Sequence, residues 1–240
     1  MHHEWAKVLD TIEGARKRIG CVNSGAYYRG HSRSDYRLLP TLLRANLNSE
    51  DERNLYAESF VHAHTDLRDC RSSWEVLSIL QHYGIPTRLL DWTESFAVAV
   101  FFAVASNSTS PTIWILNAFR MTGASTGRNK PFIFTVGIDS LPDYRECFVD
   151  QDKKWPYERP VFLEIPWNSR RVASQRGHFT FHPDAASFEE NSSKYLQRIE
   201  IPVPAVKAAM RFLEMSGVHE HSIFPDLAGL GMFLRNKYVL

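Results

Sequence analysis

The stretch LQHYGIPTRLLDWTESFAVAVFFA, residues 80–103, sets a dense cluster of polar side chains directly before an apolar helix. Alternation at strand period puts the side chains of Thr87 and Asp91 on one face and that of Arg88 on the other. The alanines, valines and phenylalanines that follow form the longest apolar run of the chain, which suits a buried helix. The stretch therefore predicts a strand that leads into a core helix.

The start of that helix accounts for part of the polar cluster. Asp91 and Thr93 lie just ahead of a helix predicted from Glu94 to Ala105, and both side chains can accept hydrogen bonds from its free N–H groups. Capping needs only one or two such residues. A helix N-terminus flanked by an arginine and a hydroxyl is also a site for an anion. We therefore interpret the surplus as the lining of a pocket, and its members are His82, Tyr83, Arg88 and Trp92.

Upstream of this stretch the patterns are mostly helical. Apolar residues at helical spacing, capping signals and a short aromatic run closed by glycine mark the elements. They predict a helix over 4–19, a strand over 26–30, a broken turn over 38–44, a helix from a capping box at Ser49 and Glu52 to about Arg68, and a helix over 74–83.

Downstream of residue 105 the sequence consists mainly of short runs of β-branched and aromatic residues, bounded by proline, glycine or asparagine. These runs predict strands over 112–117, 132–138, 160–166, 170–174, 178–182 and 198–203, a loop over 121–130, and helices over 203–218 and 224–238. The order predicts an α+β fold, in which the helical N-terminal half and the C-terminal helices pack on an antiparallel or mixed β core. We expect one domain over 1–240.

The composition excludes several classes of protein. The 240 residues are 44% apolar with a formal net charge of +1, which suits one sizeable core and shows no strongly basic footprint for nucleic acid. The three cysteines are scattered, so we expect neither a disulfide framework nor a zinc site, and a reducing cytoplasm is the expected location. The chain has no run long enough for a membrane span and no motif of a serine hydrolase, P-loop NTPase or zincin.

Two further polar clusters could carry chemistry. In the first, Tyr28 and Arg29 precede Gly30, so a planar guanidinium that suits phosphates lies beside a residue that lets the backbone turn or approach a ligand. Its structural alternative is a buried arginine paired with an acid. The second spans 171–182, where Gln175 follows a predicted strand. Its structural alternative is a hairpin with polar residues at the tip. Its two histidines share a strand face without a third ligand, so no metal site is predicted.

Taken together these clusters resemble the FRG domain family, which is named for an aromatic-Arg-Gly motif. The resemblance rests on Tyr28-Arg29-Gly30 and on segments 38–44, 80–103, 171–183 and 223–234, in the family's order. It covers most of the chain. The resemblance also implies a setting in bacterial or phage conflict, as a toxin or a defence effector.

A more distant resemblance, to ADP-ribosyltransferases of the Arg-Ser-Glu type, implies a mechanism. In that family an aromatic-Arg-Gly strand grips the phosphates of NAD, a hydroxyl-bearing strand leads into an Ala- and Phe-rich helix, and a third strand supplies an acidic residue. Arg29 looks like the first element, Thr93 lies nearest the hydroxyl position, and Gln175 occupies the third. The resemblance also implies split sheets, NAD as the substrate, and His82 beside the nicotinamide ribose.

Gln175 departs from this pattern, because an amide stabilises a developing positive charge less well than a carboxylate. Glu164 and Asp91 are the alternative sources of that charge. Three hypotheses therefore stay open: an NAD-consuming enzyme with a macromolecular acceptor or a neutralising protein partner, a sensor that binds a nucleotide without cleaving it, and a nucleic-acid-directed modifier. The scattered arginines keep the last hypothesis open, whereas the net charge disfavours it.

Overall fold

The computed structural model describes residues 2–21, 25–104, 109–128, 130–186, 188–189 and 192–239. The elements of the N-terminal half are α1 (His2–Arg18), β1 (Ala26–His31), α2 (Thr41–Arg44), α3 (Ser49–His62), α4 (His64–Leu67), α5 (Ser73–His82), β2 (Leu89–Thr93) and α6 (Phe96–Val104). The stretch 80–103 thus forms the end of α5, then β2 and α6, as its pattern predicts. The helix predicted from Glu94 ends at Ala105, which lies outside the described residues.

The second half alternates more than its sequence suggests. Its elements are β3 (Thr112–Asn117), α7 (Ala118–Thr126), β4 (Phe134–Thr135), a π-helical turn (Arg145–Val149), β5 (Val161–Glu164), α8 (Arg170–Gln175), β6 (Gly177–Phe181), β7 (Leu196–Glu200), α9 (Val203–Met215), α10 (Glu220–Ile223) and α11 (Leu227–Tyr238). The α+β prediction is confirmed. None of the described helices is both long and apolar enough to cross a lipid bilayer.

The strands form one seven-stranded sheet in the order β4-β5-β6-β2-β1-β3-β7. It is antiparallel except for the β4–β5 pair, so it is mixed. β1 pairs with β3 along its whole length, but it pairs with β2 only at Tyr28–Thr93. The sheet is therefore split at this junction into a β4-β5-β6-β2 part and a β1-β3-β7 part.

Helices cover the two parts of one sheet face separately. Helices α1, α6 and α9 pack on the β1-β3-β7 part around Tyr28, Ile113 and Ile115. Residues of α3, α5 and the π-helical turn instead cover the other part, around Phe179 and Phe181. The opposite face of the sheet carries a third cluster of buried side chains. Because the two sets of helices meet over the split, a gap between them falls at the β1–β2 junction.

Two predictions of secondary structure are wrong because helix caps outweigh local propensity. Residues 170–174 form the helix α8 rather than a strand, and the Ser169 side chain caps it by accepting from Val172 N. Residues 121–126 belong to α7 rather than to a loop, with Asn117 as N-cap and Gly127 in the left-handed conformation as C-cap. Asn129, in the same predicted loop, lies outside the described residues.

Smaller differences concern element ends. The capping box of α3 uses Asn48 and Asp51, not Ser49 and Glu52, and α3 ends at His62 before the separate short helix α4. Strand β4 has two residues instead of seven. Thr135 N donates to Asp139 Oδ2 at 2.7 Å, so this N–H is not available to pair with a neighbouring strand. Local hydrogen bonds of this kind compete with regular structure.

Candidate functional site

A pocket of about 210 Å³ lies where the two parts of the sheet diverge. Its lining comes from β1, β2 and the start of β6, and from α5, α6 and α8. At about 30 Å³ per water molecule, this volume holds roughly seven waters. It is smaller than the roughly 300–1,000 Å³ of typical drug-sized sites, so it has room for one part of a dinucleotide and not for the whole.

Arg29 lies at the centre of the split. Its Nη1 donates to the backbone oxygen of Asp91 at 2.8 Å and lies 3.5 Å from Asp91 Oδ2, and its Nε donates to His31 Nε2 at 2.9 Å. These bonds replace the ladder at the point where β1 and β2 no longer pair. The Arg29 side chain remains 23% exposed, so the guanidinium stays open to the pocket.

A short hydrogen-bond chain fixes the Asp91 carboxylate. Asp91 Oδ2 accepts from Gln81 Nε2 at 2.8 Å, and Gln81 Oε1 accepts from Thr87 Oγ1 at 2.6 Å. The amide of Gln81 is thereby oriented with its nitrogen toward the acid. The Asp91 side chain is 51% exposed and does not cap α6, which corrects the prediction that it would.

Burial and charge shift the pKa values of Arg29 and of the histidines near it. Burial lowers the pKa of Arg29, the Asp91 charge opposes that shift, and the guanidinium stays protonated because arginine starts from a very high value. Burial and the Arg29 charge lower the pKa of His31 to about 3. The same two causes lower the pKa of His182 to about 3. Two neutral imidazoles and one partly exposed carboxylate thus surround the cation.

Thr93 and Gln175 are joined to each other. Thr93 Oγ1 donates to the backbone oxygen of Gln175 at 2.6 Å and accepts from Ser95 N at 3.0 Å, so it braces the turn before α6, which begins at Phe96. The Gln175 Nε2 group donates to the backbone oxygen of Ile223 at 3.2 Å. The hydroxyl therefore holds the end of α8 against β2.

The α5 wall contains two buried polar atoms that lack partners. Ser78 Oγ and His82 Nδ1 have no hydrogen bond among the described residues, and both side chains line the pocket. Ser78 and His82 lie four residues apart on α5 and therefore share one helix face. Burial and the Arg171 charge lower the pKa of His82, whereas the Asp226 charge opposes this shift. Such groups need a hydrogen-bond partner, which a ligand or a water molecule in the pocket can supply.

The pocket lining includes eight of the eleven residues that the sequence nominates as site residues. These eight are Tyr28, Arg29, Gly30, His82, Asp91, Trp92, Thr93 and Gln175. Trp92 is 2% exposed and its Nε1 donates to Thr180 Oγ1 at 3.0 Å, so its indole belongs to the core as well. Gly30 also serves packing, because a Cβ there would lie 1.9 Å from Ala99 O of α6.

The other three nominated residues lie away from the pocket. Arg88 is buried in a paired cluster with Glu52, and Tyr83 is 69% exposed just beyond α5. Glu164 Oε2 accepts from Thr135 Oγ1 at 3.2 Å, and its Oε1 accepts from the Tyr27 hydroxyl at 3.5 Å. Asp91 is therefore the carboxylate that the described pocket lining provides.

Sequence reasoning missed three polar residues of the lining, Ser78, Gln81 and Arg171. Arg171 and Gln175 stand four residues apart, a spacing that would have put both on one face once 170–175 was treated as a helix. Ser169 at the N-cap was the available signal for that helix. No cluster of three potential metal ligands occurs among the described residues.

Comparison with known proteins bears on the family alone. No curated protein and no solved structure matches the chain significantly. The family model of the FRG domain matches residues 24–111, which include β1, β2 and α6 and hence the Arg29 and Asp91 side of the pocket. The similarity to the FRG domain thus covers 88 of the 240 residues of the chain.

Proposed function

We propose that the pocket binds a nucleotide of the NAD type and that the chain is an ADP-ribosyltransferase-like enzyme, which cleaves NAD or transfers ADP-ribose. One observation carries the proposal: Arg29, Thr93 and Gln175, which come from three distant segments, line one pocket at the split of the sheet. An arginine with open N–H groups suits a phosphate, and the apolar walls suit a planar ring.

Each pocket residue has a role in this proposal. Arg29 binds phosphate, Tyr28 and Phe102 bound the space for a ring, and Thr93 positions Gln175 beside the ribose. Asp91 supplies the negative charge that Gln175 lacks, because an oriented carboxylate stabilises the oxocarbenium ion that forms as nicotinamide leaves. Glu164 does not serve here, since it bonds to Tyr27 and Thr135 outside the lining.

The test is NAD binding by calorimetry, followed by nicotinamide release from the purified chain. We expect Arg29→Ala to weaken NAD binding by about 10- to 100-fold, the loss of a charged hydrogen bond. We expect Asp91→Asn to bind NAD but to lower release by about 10²- to 10³-fold. Arg33→Ala is the matched control, because Arg33 is 52% exposed and pairs with Asp35. Absence of NAD binding by the wild-type chain would refute the proposal.

A sensor is the second candidate, and the state of Gln175 favours it. Gln175 is uncharged, and its Nε2 donates to Ile223 O at 3.2 Å. The side chain therefore links the pocket to α10 and offers no negative charge to a ligand. A sensor would bind the nucleotide and signal through a protein partner that contacts this linked segment. NAD binding without nicotinamide release in a long incubation would select the sensor over the enzyme.

A further inference from the structure

Arg171 is a second guanidinium in the same pocket. It lies on α8, its Nη1 donates to the backbone oxygen of His82 at 3.2 Å, and its Cζ lies 4.6 Å from the centre of the Phe224 ring. These contacts fix the plane of the guanidinium between α5 and the segment after α10. Among the described residues no hydrogen bond uses its Nε or Nη2 groups, so these donors remain open.

The charges of the pocket lining do not balance. Arg29 and Arg171 are cationic, and Asp91 is the single carboxylate of the described lining. Burial lowers the pKa of Arg171, whereas the charges of Asp91 and Asp226 raise it. The lining therefore carries a net positive charge, and an anion bound in the pocket would neutralise it. Arg29 likewise has an Nη2 group without a described hydrogen bond.

We propose that Arg29 and Arg171 together form a diphosphate-binding site, in which each guanidinium binds one phosphate group. Two planar forks from β1 and α8 suit two linked phosphates, whereas a single phosphate or carboxylate would leave one fork unused. The unpartnered Ser78 Oγ and His82 Nδ1 on the adjoining wall are an independent sign that a polar ligand completes this pocket. The inference rests on the proposed function, since a diphosphate joins the two halves of NAD.

The experiment titrates inorganic phosphate, pyrophosphate, ADP and NAD into the full chain by calorimetry. We expect pyrophosphate and ADP to bind at least about tenfold more tightly than phosphate, because a second charge-assisted pair forms. Arg171→Ala should remove that preference, and Arg171→Lys should retain part of it because the charge persists without the planar fork. The matched control is Arg170→Ala, an exposed arginine next in sequence on α8 that does not line the pocket.

The outcomes separate this inference from the proposed function. Pyrophosphate binding that needs Arg171, in a chain that fails to bind NAD, would support the diphosphate site and refute the NAD proposal. NAD turnover with an unchanged KM in Arg171→Ala would support the NAD proposal and refute the diphosphate site. Equal losses in Arg170→Ala and Arg171→Ala would show nonspecific attraction and overturn the site, as would pyrophosphate binding no tighter than phosphate. If Arg171→Ala does not fold, Arg171→Lys decides between these outcomes.

Discussion

Arg29 and Arg88 come from neighbouring parts of the fold but have opposite surroundings. Arg88 is 11% exposed and forms a two-pronged pair with Glu52, which is 2% exposed, through bonds of 2.7 and 2.6 Å. The Tyr144 hydroxyl also donates to Glu52. Arg29 is 23% exposed, and its one acidic neighbour is 3.5 Å away and half in solvent. We call these regions the buried cluster and the open pocket.

The difference shows which polar groups a fold uses for itself. In the buried cluster both carboxylate oxygens are paired, and Arg88 Nη1 donates to the backbone oxygen of Pro183. Burial alone would lower the pKa of Arg88, but the hydrogen bonds and charge of Glu52 raise it. In the open pocket, Arg29 Nη2 and the Nε and Nη2 groups of Arg171 have no hydrogen bond among the described residues. Complete pairing indicates a structural role, and surplus donors indicate a ligand.

The largest expected effect breaks the buried cluster. Glu52→Ala should lower the free energy of unfolding by about 3–5 kcal/mol, because it leaves Arg88 charged and unpaired in the interior. Denaturant unfolding monitored by circular dichroism measures this. Asp35→Ala, which breaks the exposed pair with Arg33, should cost less than about 1 kcal/mol. A loss for Glu52→Ala as small as that of the control would show that the two regions do not differ in this way.

The next effect concerns the two neutral histidines beside Arg29. The pKa values of His31 and His182 are lowered to about 3, below the ordinary value of 6.5, so the unfolded chain binds their protons first as the pH falls. Their contribution to stability is complete above pH 6.5 and is lost as the pH falls toward 3, by about 1.4 kcal/mol per pH unit for each histidine.

Unfolding free energies measured from pH 7 to pH 4 check this prediction. His182→Gln should reduce the slope of unfolding free energy against pH by about 1.4 kcal/mol per pH unit, because the variant lacks one of the two titrating histidines. An identical slope in the wild-type chain and the variant would contradict the buried, neutral state of His182.

A smaller effect tests how closely α6 approaches the pocket strand. Gly30→Ala should cost about 1–3 kcal/mol, because the new Cβ would meet Ala99 O and the helix must shift. The same change at Gly231, an exposed position of α11 where an added Cβ would meet no atom within 4 Å, should instead raise stability by about 0.5–1 kcal/mol. Thermal unfolding of both variants measures the contrast. Equal effects would mean that Gly30 is not needed for packing.

The smallest effect concerns the unpartnered hydroxyl in the pocket wall. Ser78→Ala should raise the free energy of unfolding by about 1 kcal/mol, because it removes a buried group without a hydrogen bond. Ser73→Ala on the same helix should lower it by about 1–2 kcal/mol, since Ser73 Oγ donates to Asp143 and accepts from Tyr144 N. A destabilised Ser78→Ala variant in chemical denaturation would show that its hydroxyl is already satisfied.

The sequence predicts the elements around the pocket well because their signals are local. Residues 26–30 and 80–103 carry strand and helix patterns with clear ends, and β1, β2 and α6 follow them. Residues 170–175 resemble a strand in sequence because a six-residue helix has too few turns to show a helical period. That error also hid Arg171, which shares a helix face with Gln175. The prediction of one domain over 1–240 stays a prediction.

Which arginine faces the pocket was decided by tertiary structure alone. Both Arg29 and Arg88 stand in polar motifs, and residue type gives no reason to prefer one. Arg88 is paired because α3 brings Glu52 to it from a distant position in the chain. Tyr144, the residue before the π-helical turn, donates to the same carboxylate. Glu164, equally plausible in sequence, is turned toward Tyr27 and away from the lining.

Local sequence patterns account for the α+β fold, for the similarity of residues 24–111 to the FRG domain and for the motifs that contribute to the site. Those features depend on periodicity, capping and residue order, which are properties of short segments. Packing between distant segments sets the split of the sheet at Tyr28–Thr93, makes Asp91 the carboxylate of the described pocket lining, and brings Arg171 into the same pocket as Arg29. Those features depend on contacts between segments far apart in the chain, and such contacts form only when the helices pack over the sheet.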